Sequence, residues 1–345
     1  MRFDDTDPKL KKPLADGEKM YVEDLAWLGI TPDLIVRASD RLEIYYDYMN
    51  QLVALGKAYV CTCEKEKWKK CILNNEACPC RELSIEEQQI RLQKMFKHEY
   101  KQGEALLRIK TDLNCDDPSQ RDWWCARIVD KPEHYKIKDK HVWPGYNFAS
   151  AIDDHLLGTT LIIRGQEHVP NMLKQKWLFN HFGWKFPHAF HHGRMIFPGS
   201  EMSKSKMIAG IASGKYTGWD DPRLFTIKTL QRKGFTPEGL KDLMVELGVK
   251  TSDTILSLEL LSTYNKPHLK DAKTIPFIEN PISLEVDFGP KMEVELDGQK
   301  NIIREGNQAF FISQNELSTP QIGQLLRLRN TYIIKLTQVE PNQLN

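Results

Sequence analysis

Residues 159–164 read Thr-Thr-Leu-Ile-Ile-Arg, a run of β-branched and aliphatic residues that ends on a cation. Such a run favours a buried β-strand. Helical patterns flank it at 142–157 and 171–182, and each ends at a glycine. Arg164 would therefore lie at the carboxyl end of a strand, the edge where α/β sheets bind ligands. A guanidinium there could clamp a carboxylate, although a structural salt bridge is an equally simple interpretation.

The composition is that of an ordinary soluble protein. The 345 residues suggest two or three domains, and the 48 Lys and Arg residues nearly balance the 47 Asp and Glu residues. The net charge therefore gives no indication of nucleic-acid binding, and any basic surface must be confined to one part of the protein. No run of about 18 uncharged apolar residues is present, and the N-terminus lacks the apolar core of a signal peptide. We expect a cytoplasmic protein with no membrane partner.

The order of patterns along the chain predicts an α/β fold with an insertion, then helices, then a β-domain. Helical periodicity continues to about residue 265. After Pro267 the sequence changes to period-2 alternation at 282–288, 292–296, 308–312 and 332–336, with several prolines between. This change places a domain boundary near 266–275.

Five of the seven cysteines fall within about twenty residues, a clustering that in a cytosolic chain favours a metal site over disulfides. Two C-x-C pairs, Cys61 with Cys63 and Cys78 with Cys80, offer four thiolates, enough for one tetrahedral zinc ion. Four thiolates leave no open coordination position, so the zinc would be structural. Cys71 could substitute as a ligand, and free buried thiols are the alternative.

Three further groups of residues could carry chemistry. Tyr146 and Ser150 are four residues apart on a predicted helix, so they should face the same way. The stretch 199–206 (GSEMSKSK) predicts a mobile, hydroxyl-bearing cationic loop that suits a polyphosphate. The acidic run 4–7 could hold an ammonium group. Read alone, the last two are more simply interpreted as a solvated basic loop and as a solvated turn or helix cap.

Taken together, four stretches in order resemble the class I glutamyl-tRNA synthetases of the archaeal–eukaryotic branch. They are 2–8 (RFDDTDP), 142–158 continuing through 164–168 (RGQEH), 202–206 (MSKSK) and 219–224 (WDDPRL). The set is specific because of its order, and it spans nearly the whole chain. One departure is Glu201, which stands where the family's KMSKS motif begins with lysine.

The resemblance implies a role for each candidate residue. It implies that Lys204, with Ser203 and Ser205, stabilises the phosphates of ATP as pyrophosphate leaves, with Mg²⁺ accompanying ATP. It implies that the substrate glutamate is held by Asp4 at its amino group, by Tyr146 and Ser150, and by Arg164 at its side-chain carboxylate. The residues implied to bind ATP are Arg194, Met195, Met202, Ser203 and Lys204.

Arg164 also bears on the choice between glutamate and glutamine. A buried guanidinium pairs with a carboxylate but is left unpaired by an amide, at a cost of several kcal/mol. We therefore expect glutamate as the substrate and tRNA for glutamate as the partner. A glutaminyl-tRNA synthetase is the weaker alternative, and tRNA for glutamine stays open as a second partner.

The resemblance also implies a domain plan. Residues 1–56 would be the remainder of the first Rossmann half, with the first strand of the parallel sheet missing. Residues 57–140 would be the acceptor-arm-binding insertion, an α+β domain holding the zinc. Residues 141–207 would be the second Rossmann half, 208–265 a helical stem-contact region, and 266–345 the start of an anticodon-binding β-barrel.

The family's second catalytic motif, His-Ile-Gly-His, belongs ahead of the 2–8 stretch, and the sequence from Met1 does not contain it. We therefore expect a fragment, a mis-called start or one part of a split enzyme whose partner chain carries that motif. The alternative, from a different class of function, is a non-catalytic module that binds tRNA or a partner chain.

Overall fold

The computed structural model describes residues 1–9, 16–273, 277–296, 299–316, 319–328 and 330–339. The chain divides into two compact units, Met1–His268 and Leu269–Asn345. The division falls inside the interval 266–275 where the sequence pattern changes from helical to alternating.

The first unit carries the α-helices. Their bounds are α1 Gly17–Trp27, α2 Leu42–Ala54, α3 Lys65–Leu73, α4 Ile85–Phe96, α5 Tyr146–Leu156, α6 Val169–Phe182, α7 Lys204–Ala212, α8 Ile227–Arg232, α9 Pro237–Leu247 and α10 Leu258–Asn265. Local sequence explains several helix starts: the hydroxyls of Ser84, Thr226, Thr236 and Ser257 each accept a backbone N–H three residues on.

The strands of the first unit are short. Their bounds are β1 Arg2–Phe3, β2 Val36–Arg37, β3 Ala58–Cys61, β4 Leu106–Ile109, β5 Trp124–Ile128, β6 Val142–Pro144, β7 Leu161–Gly165, β8 His188–His192, β9 Met195–Ile196 and β10 Thr254–Ile255.

Strands β3, β4, β5 and β6 form one antiparallel sheet in that order. The plan derived from sequence assigned Val142–Pro144 to the second Rossmann half, but in the structure this strand is the edge of the inserted sheet. The insertion is not a separate globule. One apolar core joins the sheet to α2, α5 and α6, and the fully buried Tyr45, Trp143 and Phe148 belong to it. Burying each such side chain contributes about 1.5–3 kcal/mol.

The parallel pairing that the sequence predicts is present in three two-stranded pieces: β1 with β2, β7 with β8, and β9 with β10. The described strands do not join these pieces into one sheet. In the pair β7–β8, Arg164 lies opposite His191 and Ile163 lies opposite Phe190. Since side chains alternate between faces along a strand, Arg164 and His191 share one face and Ile163 and Phe190 share the other.

The face of β7–β8 that carries Ile163 and Phe190 is exposed to solvent. This corrects the prediction of a buried strand at 159–163. Leu161, Ile163 and Phe190 are 50%, 52% and 56% exposed. Parallel strands normally bury both faces, and that is why the sequence of β7 is apolar throughout. We call these three side chains the open face.

The second unit is built from antiparallel pairs. Its strands are β11 Pro281–Gly289, β12 Met292–Leu296, β13 Gln299–Ile303, β14 Gly306–Ser313, β15 Leu325–Arg327 and β16 Ile333–Lys335. Strand β11 pairs with β14, β12 with β13, and β15 with β16. A small core of Leu284, Val286, Leu326, Leu328 and Leu336 lies between the strands.

Within the described ranges, no helix of either unit is long and apolar enough to cross a membrane.

Candidate functional site

Arg164 lies at the carboxyl end of β7, as the sequence predicts, and its guanidinium is held from two helices. Its Nη2 donates to the Oε1 atom of Gln175 on α6 at 2.7 Å, and its Nη1 lies 3.4 Å from the hydroxyl of Tyr146 on α5. The structure therefore brings together two predicted glutamate ligands, Tyr146 and Arg164. No carboxylate is paired with Arg164 in the described residues, which argues against a structural salt bridge.

Three buried nitrogen atoms around Arg164 have no hydrogen-bond partner among the residues that the structure describes. They are Nε of Arg164, Nε2 of Gln175 and Nε2 of His191, the residue opposite Arg164 on β8. A buried N–H without an acceptor costs about 1–3 kcal/mol, and such groups are rare in native proteins. Their grouping at one strand end indicates a place for a ligand with acceptor oxygens, such as a carboxylate.

The surroundings of His191 disfavour its charged form. Burial lowers the pKa of its imidazole below the ordinary value, and the positive charge of Arg164 lowers it further. Arg164 is therefore the main source of positive charge where these two side chains meet.

Asp4 belongs to a second polar group, organised by Arg2. Arg2 donates from Nε to Asp4 at 2.8 Å, from Nη1 to Asp154 at 2.7 Å and from Nη2 to Ser150 Oγ at 2.8 Å. Burial opposes the charge of Arg2, but the two carboxylates raise its pKa above the ordinary value. Desolvation raises the pKa of Asp4, and Arg2 offsets this only in part.

Ser150 is a correction to the sequence interpretation. It shares helix α5 with Tyr146 but is buried and bonded to Arg2, whereas Tyr146 is exposed near Arg164. Any effect of Ser150 on a substrate would therefore pass through Arg2.

A cavity of about 850 Å³ brings Asp4 and Lys204 to the same wall, together with Arg2, Tyr21 and Lys228. The residues that line it carry both signs of charge, including Asp5, Glu18, Asp24, Arg37 and Lys136. Arg164 and Tyr146 are not among the lining residues. The cavity thus joins the predicted ammonium ligand to the predicted phosphate ligand.

The basic stretch at 199–206 is only partly a loop. Lys204 is the first residue of helix α7, preceded by Ser203 in an extended conformation. Glu201 accepts the backbone N–H of Ser203 at 2.9 Å and lies 3.6 Å from the ammonium of Lys206. Lys204 and Ser205 therefore belong to the first turn of α7. The N-terminus of a helix binds anions favourably.

The predicted ATP residues Arg194 and Met195 lie on and beside β9, which pairs in parallel with β10. The backbone N–H of Arg194 donates to Asp253 at 2.8 Å. Met202 returns to this strand, because its sulfur lies 3.4 Å from the N–H of Phe197. Gly193 is required here: a Cβ would lie 2.2 Å from the carbonyl oxygen of Ser252.

The four predicted cysteine ligands lie together. Cys61, Cys63 and Cys78 place their sulfurs within 4.8 Å of one another. The Sγ atoms of Cys61 and Cys78 are 3.9 Å apart, and those of Cys63 and Cys80 are 3.6 Å apart. Tetrahedral zinc with bonds of about 2.3 Å separates its sulfurs by about 3.8 Å. Cys71 packs against this cysteine cluster without being one of these four.

The surroundings of Cys78 and Cys80 suit thiolates, whereas the hydrogen bond to Cys78 and burial raise the pKa of Cys61. Cys80 receives the backbone N–H of Thr62 at 3.5 Å and faces the guanidinium of Arg91 at 3.7 Å. The hydrogen bond from the Cys61 thiol lowers the pKa of Cys78 to about 5. Donors of this kind hold and tune the ligands of a metal centre. The residues present therefore fit a thiolate-bound zinc ion.

Sequence reasoning missed Arg2, Gln175 and His191. No local pattern marks Gln175 or His191, because each meets Arg164 from another element of the fold. The charge of Arg2 beside an acidic run was the one available signal.

Comparison with known proteins identifies the group to which these sites belong. The model of the family "tRNA synthetases class I (E and Q), catalytic domain" matches residues 1–271. The chain belongs to this family. Its fold is accordingly that of a class I synthetase catalytic domain, with mixed helices and sheets.

Several relatives of the chain are glutamate–tRNA ligases. That of Pyrococcus horikoshii is 45% identical over 349 residues, covering 98% of this chain and 61% of that protein. That of Pyrococcus abyssi is 44% identical over the same share. The chain thus spans about three fifths of the length of these relatives.

A solved structure agrees at the level of the fold. The crystal structure of a glutamate tRNA ligase from Elizabethkingia meningosepticum, in complex with its amino acid, superposes with a TM-score of 0.51 at 20% identity. It covers 78% of this chain and 62% of that one.

Proposed function

We propose that this chain is the glutamate-activating part of a glutamate–tRNA ligase. The observation that carries the proposal is the cationic strand end at Arg164, where buried nitrogens of Arg164, Gln175 and His191 find no partner in the described part of the chain. A side-chain carboxylate would satisfy them, whereas an amide would present a further donor and leave the guanidinium charge unpaired. The names of the relatives support the same substrate.

In this proposal, Arg164 binds the side-chain carboxylate of glutamate and Tyr146 lies beside it. Asp4 binds the ammonium group. Its carboxylate is held by Arg2, which Ser150 and Asp154 orient in turn. The substrate would therefore be gripped at both charged ends, which favours glutamate over shorter or uncharged amino acids.

The ATP half of the reaction would use the residues between Arg194 and Ser205. Arg194, Met195 and Met202 form the strand and return loop against which the nucleotide lies. Lys204, with Ser203 and Ser205, faces the phosphates from the N-terminus of α7. Their negative charge draws them to that helix end and to the ammonium of Lys204. Mg²⁺ would enter with ATP and neutralise part of that charge.

The chemistry would run in two steps. An α-carboxylate oxygen of glutamate attacks the α-phosphorus of ATP, a new P–O bond forms, and the bond to the β-phosphate breaks as pyrophosphate leaves. Lys204 stabilises the charge that develops on pyrophosphate. A ribose hydroxyl at the 3′ end of tRNA then attacks the glutamyl carbonyl, and AMP leaves. No protein nucleophile is needed, because positioning and charge stabilisation supply the catalysis.

Zinc would be structural in this scheme. Cys61, Cys63, Cys78 and Cys80 would hold the ion and fix the turn between β3 and α4 against the inserted sheet. A zinc ion with four thiolates offers stability and no reactive position.

The remaining parts would serve tRNA for glutamate. The insertion at 57–140 would bind the acceptor arm, the helices at 208–265 would contact the stem, and the strands after 266 would begin an anticodon-binding β-barrel. Whether tRNA for glutamine is also accepted would depend on that last region. We place these activities in the cytoplasm, where tRNA is charged.

The open face supports a role for a further polypeptide segment. Leu161, Ile163 and Phe190 are too exposed for a parallel sheet, and an apolar helix or strand would cover them. We propose that the segment carrying His-Ile-Gly-His packs there, from the same polypeptide or from a separate chain. It would complete the charge stabilisation around the α-phosphate.

The test is ATP–pyrophosphate exchange by this chain, alone and with a separately expressed polypeptide that carries the His-Ile-Gly-His motif. We expect exchange that depends on glutamate and is not supported by glutamine. Calorimetry of glutamate binding provides a readout that needs no turnover. Equal binding of glutamine would refute the substrate assignment, and binding of tRNA without any binding of glutamate or ATP would favour a non-catalytic module.

A further inference from the structure

Asp4 follows strand β1 directly and begins a segment, residues 4–8, whose contacts come from residues outside the parallel strands. The next residue, Asp5, is buried at the base of the cavity that Asp4 and Lys204 line. Its carboxylate accepts the backbone N–H of Ser39 at 2.8 Å and the hydroxyl of Ser39 at 2.7 Å. One side of Asp5 is thus fixed by the turn that precedes α2.

The other side of Asp5 is met by the inserted region. The hydroxyl of Tyr135 donates to Asp5 Oδ2 at 3.3 Å, and the Nε2 atom of His134 lies 3.5 Å from the same oxygen. His134 is fully buried and packs against the ring of Trp143. Two side chains of the insertion therefore converge on a single carboxylate oxygen.

The protonation of His134 follows from its neighbours. Its Nδ1 atom faces the backbone N–H groups of Lys136 at 3.2 Å and Ile137 at 3.0 Å, so Nδ1 is the acceptor. The ring proton must then be on Nε2, which points at Asp5 and makes no hydrogen bond within normal limits in the described structure. His134 is a buried donor aimed at Asp5.

Two further contacts fasten the same segment to the insertion. Arg127 of β5 donates to Asp7 at 2.8 Å, and the backbone N–H of Glu133 donates to the carbonyl of Pro8 at 3.1 Å. Residues 127–135 thus hold residues 5–8 at several points, immediately after Asp4.

We propose that Asp5 is a positioning residue for Asp4, and that His134 and Tyr135 make the inserted region part of the amino-acid site. The proposal rests on the proposed function for its consequence, because Asp4 is the ligand of the substrate ammonium there. Asp4 is bonded through its own side chain to Arg2, two residues away, so the direction of its carboxylate depends on how the following backbone is held. A shift of about 1 Å at such a ligand can reduce activity about 100-fold.

The variants Tyr135→Phe and His134→Gln remove one donor each with little change of volume, and Asp5→Asn weakens both contacts. The matched control is Tyr48→Phe, a substitution in the same core whose hydroxyl has no hydrogen bond in the described structure. Thermal melting identifies any variant that fails to fold.

The first readout does not need activity. The titration of the Asp4 carboxyl is followed by NMR in chain labelled at aspartate carboxyl carbons, and its signal is assigned with Asp4→Asn. We expect the midpoint for Asp4 to move in Tyr135→Phe and His134→Gln and to stay in place in Tyr48→Phe. An unchanged midpoint in both folded variants would overturn the proposal.

The second readout is binding of glutamate and of ATP by calorimetry. We expect affinity for glutamate to fall about 10- to 100-fold in Asp5→Asn, less in the two single-donor variants, with affinity for ATP unchanged. Equal losses for both ligands would also overturn the proposal. If the unaltered chain binds no glutamate, the proposed function fails, and the NMR titration still decides the positioning role.

Discussion

The cysteine cluster and the Arg164 strand end both present polar atoms that a bound ion or ligand would satisfy. They differ in how far apart in sequence their residues lie. The cysteine cluster comes from two C-x-C pairs within twenty residues, whose sulfurs already have the spacing of a tetrahedral site. The Arg164 strand end is assembled from β7, β8, α5 and α6. The cysteine cluster is formed by residues close in sequence, whereas the Arg164 strand end forms only when distant elements have packed together.

This difference has an energetic consequence. A metal held by local residues contributes directly to folding, since the unfolded chain rarely offers a preformed set of ligands. A ligand site assembled from distant elements costs stability until the ligand arrives, because its buried donors are unpaired. Substitutions should therefore affect stability at the cysteine cluster and ligand binding at the Arg164 strand end.

The largest effect is expected at the cysteine cluster. Cys61→Ser should abolish stoichiometric zinc and unfold the 61–80 region, because structural zinc supplies about 10–16 kcal/mol in small domains. Metal analysis and thermal melting with and without a chelator measure this. Cys71→Ser is the matched control and should keep both the zinc and the melting temperature; parallel loss in Cys71→Ser would show that the ligand set is wrong.

The second effect concerns Arg164. Arg164→Gln should weaken glutamate binding by about 3–5 kcal/mol, because the substrate carboxylate would lose its buried charge partner. Calorimetry should show ATP binding and the melting temperature unchanged. A variant that instead melts earlier and binds glutamate normally would make Arg164 a structural residue and erase the contrast with the cysteine cluster.

A smaller effect is expected at Lys204. Lys204→Ala should slow pyrophosphate exchange by about 100- to 1,000-fold, the usual cost of one lost charge-stabilising donor. Exchange is measured in the presence of the polypeptide that carries His-Ile-Gly-His. Lys206→Ala is the control, because Lys206 is exposed and lies near Glu201, and it should be nearly silent. Equal losses would point to the general charge of the loop.

The smallest effect is a pH dependence. Desolvation raises the pKa of Asp4, so part of this carboxyl stays protonated at pH values where an ordinary aspartate is ionised. An ammonium ligand favours the ionised form, so glutamate affinity should rise with pH up to the pKa of Asp4 and level off above it. The slope is at most about tenfold per pH unit. Calorimetry across pH, with Asp4→Asn as the flat control, checks this.

Local patterns in the sequence account for much of the fold. Cap residues such as Ser84 and Thr236 start helices by accepting the backbone N–H three residues on, and the C-x-C pairs meet because few residues separate them. The Asp4, Arg164 and Lys204 positions came from ordered motifs, which identify a family without giving contacts.

The rest depends on tertiary structure that no local pattern encodes. Gln175 on α6 is bonded to Arg164 on β7, and Ser150 on α5 is bonded to Arg2 on β1, so each contact joins two elements that are separate in sequence. The apolar character of residues 161–163 predicts a buried strand, but Leu161 and Ile163 are about half exposed in the described structure. It cannot say which polypeptide would cover them.

Gly193, just before β9, lies very close to the chain about sixty residues later. Since a Cβ at this position would lie 2.2 Å from the carbonyl oxygen of Ser252, a saturation library screened for folded protein should return glycine alone at 193. Gly199 has a positive φ of 80° but no atoms within 4 Å of the added carbon, so asparagine and aspartate should survive there. Gly193 and Gly199 would thus differ in the substitutions they tolerate. A steric contact limits the first position, and the backbone angle φ limits the second.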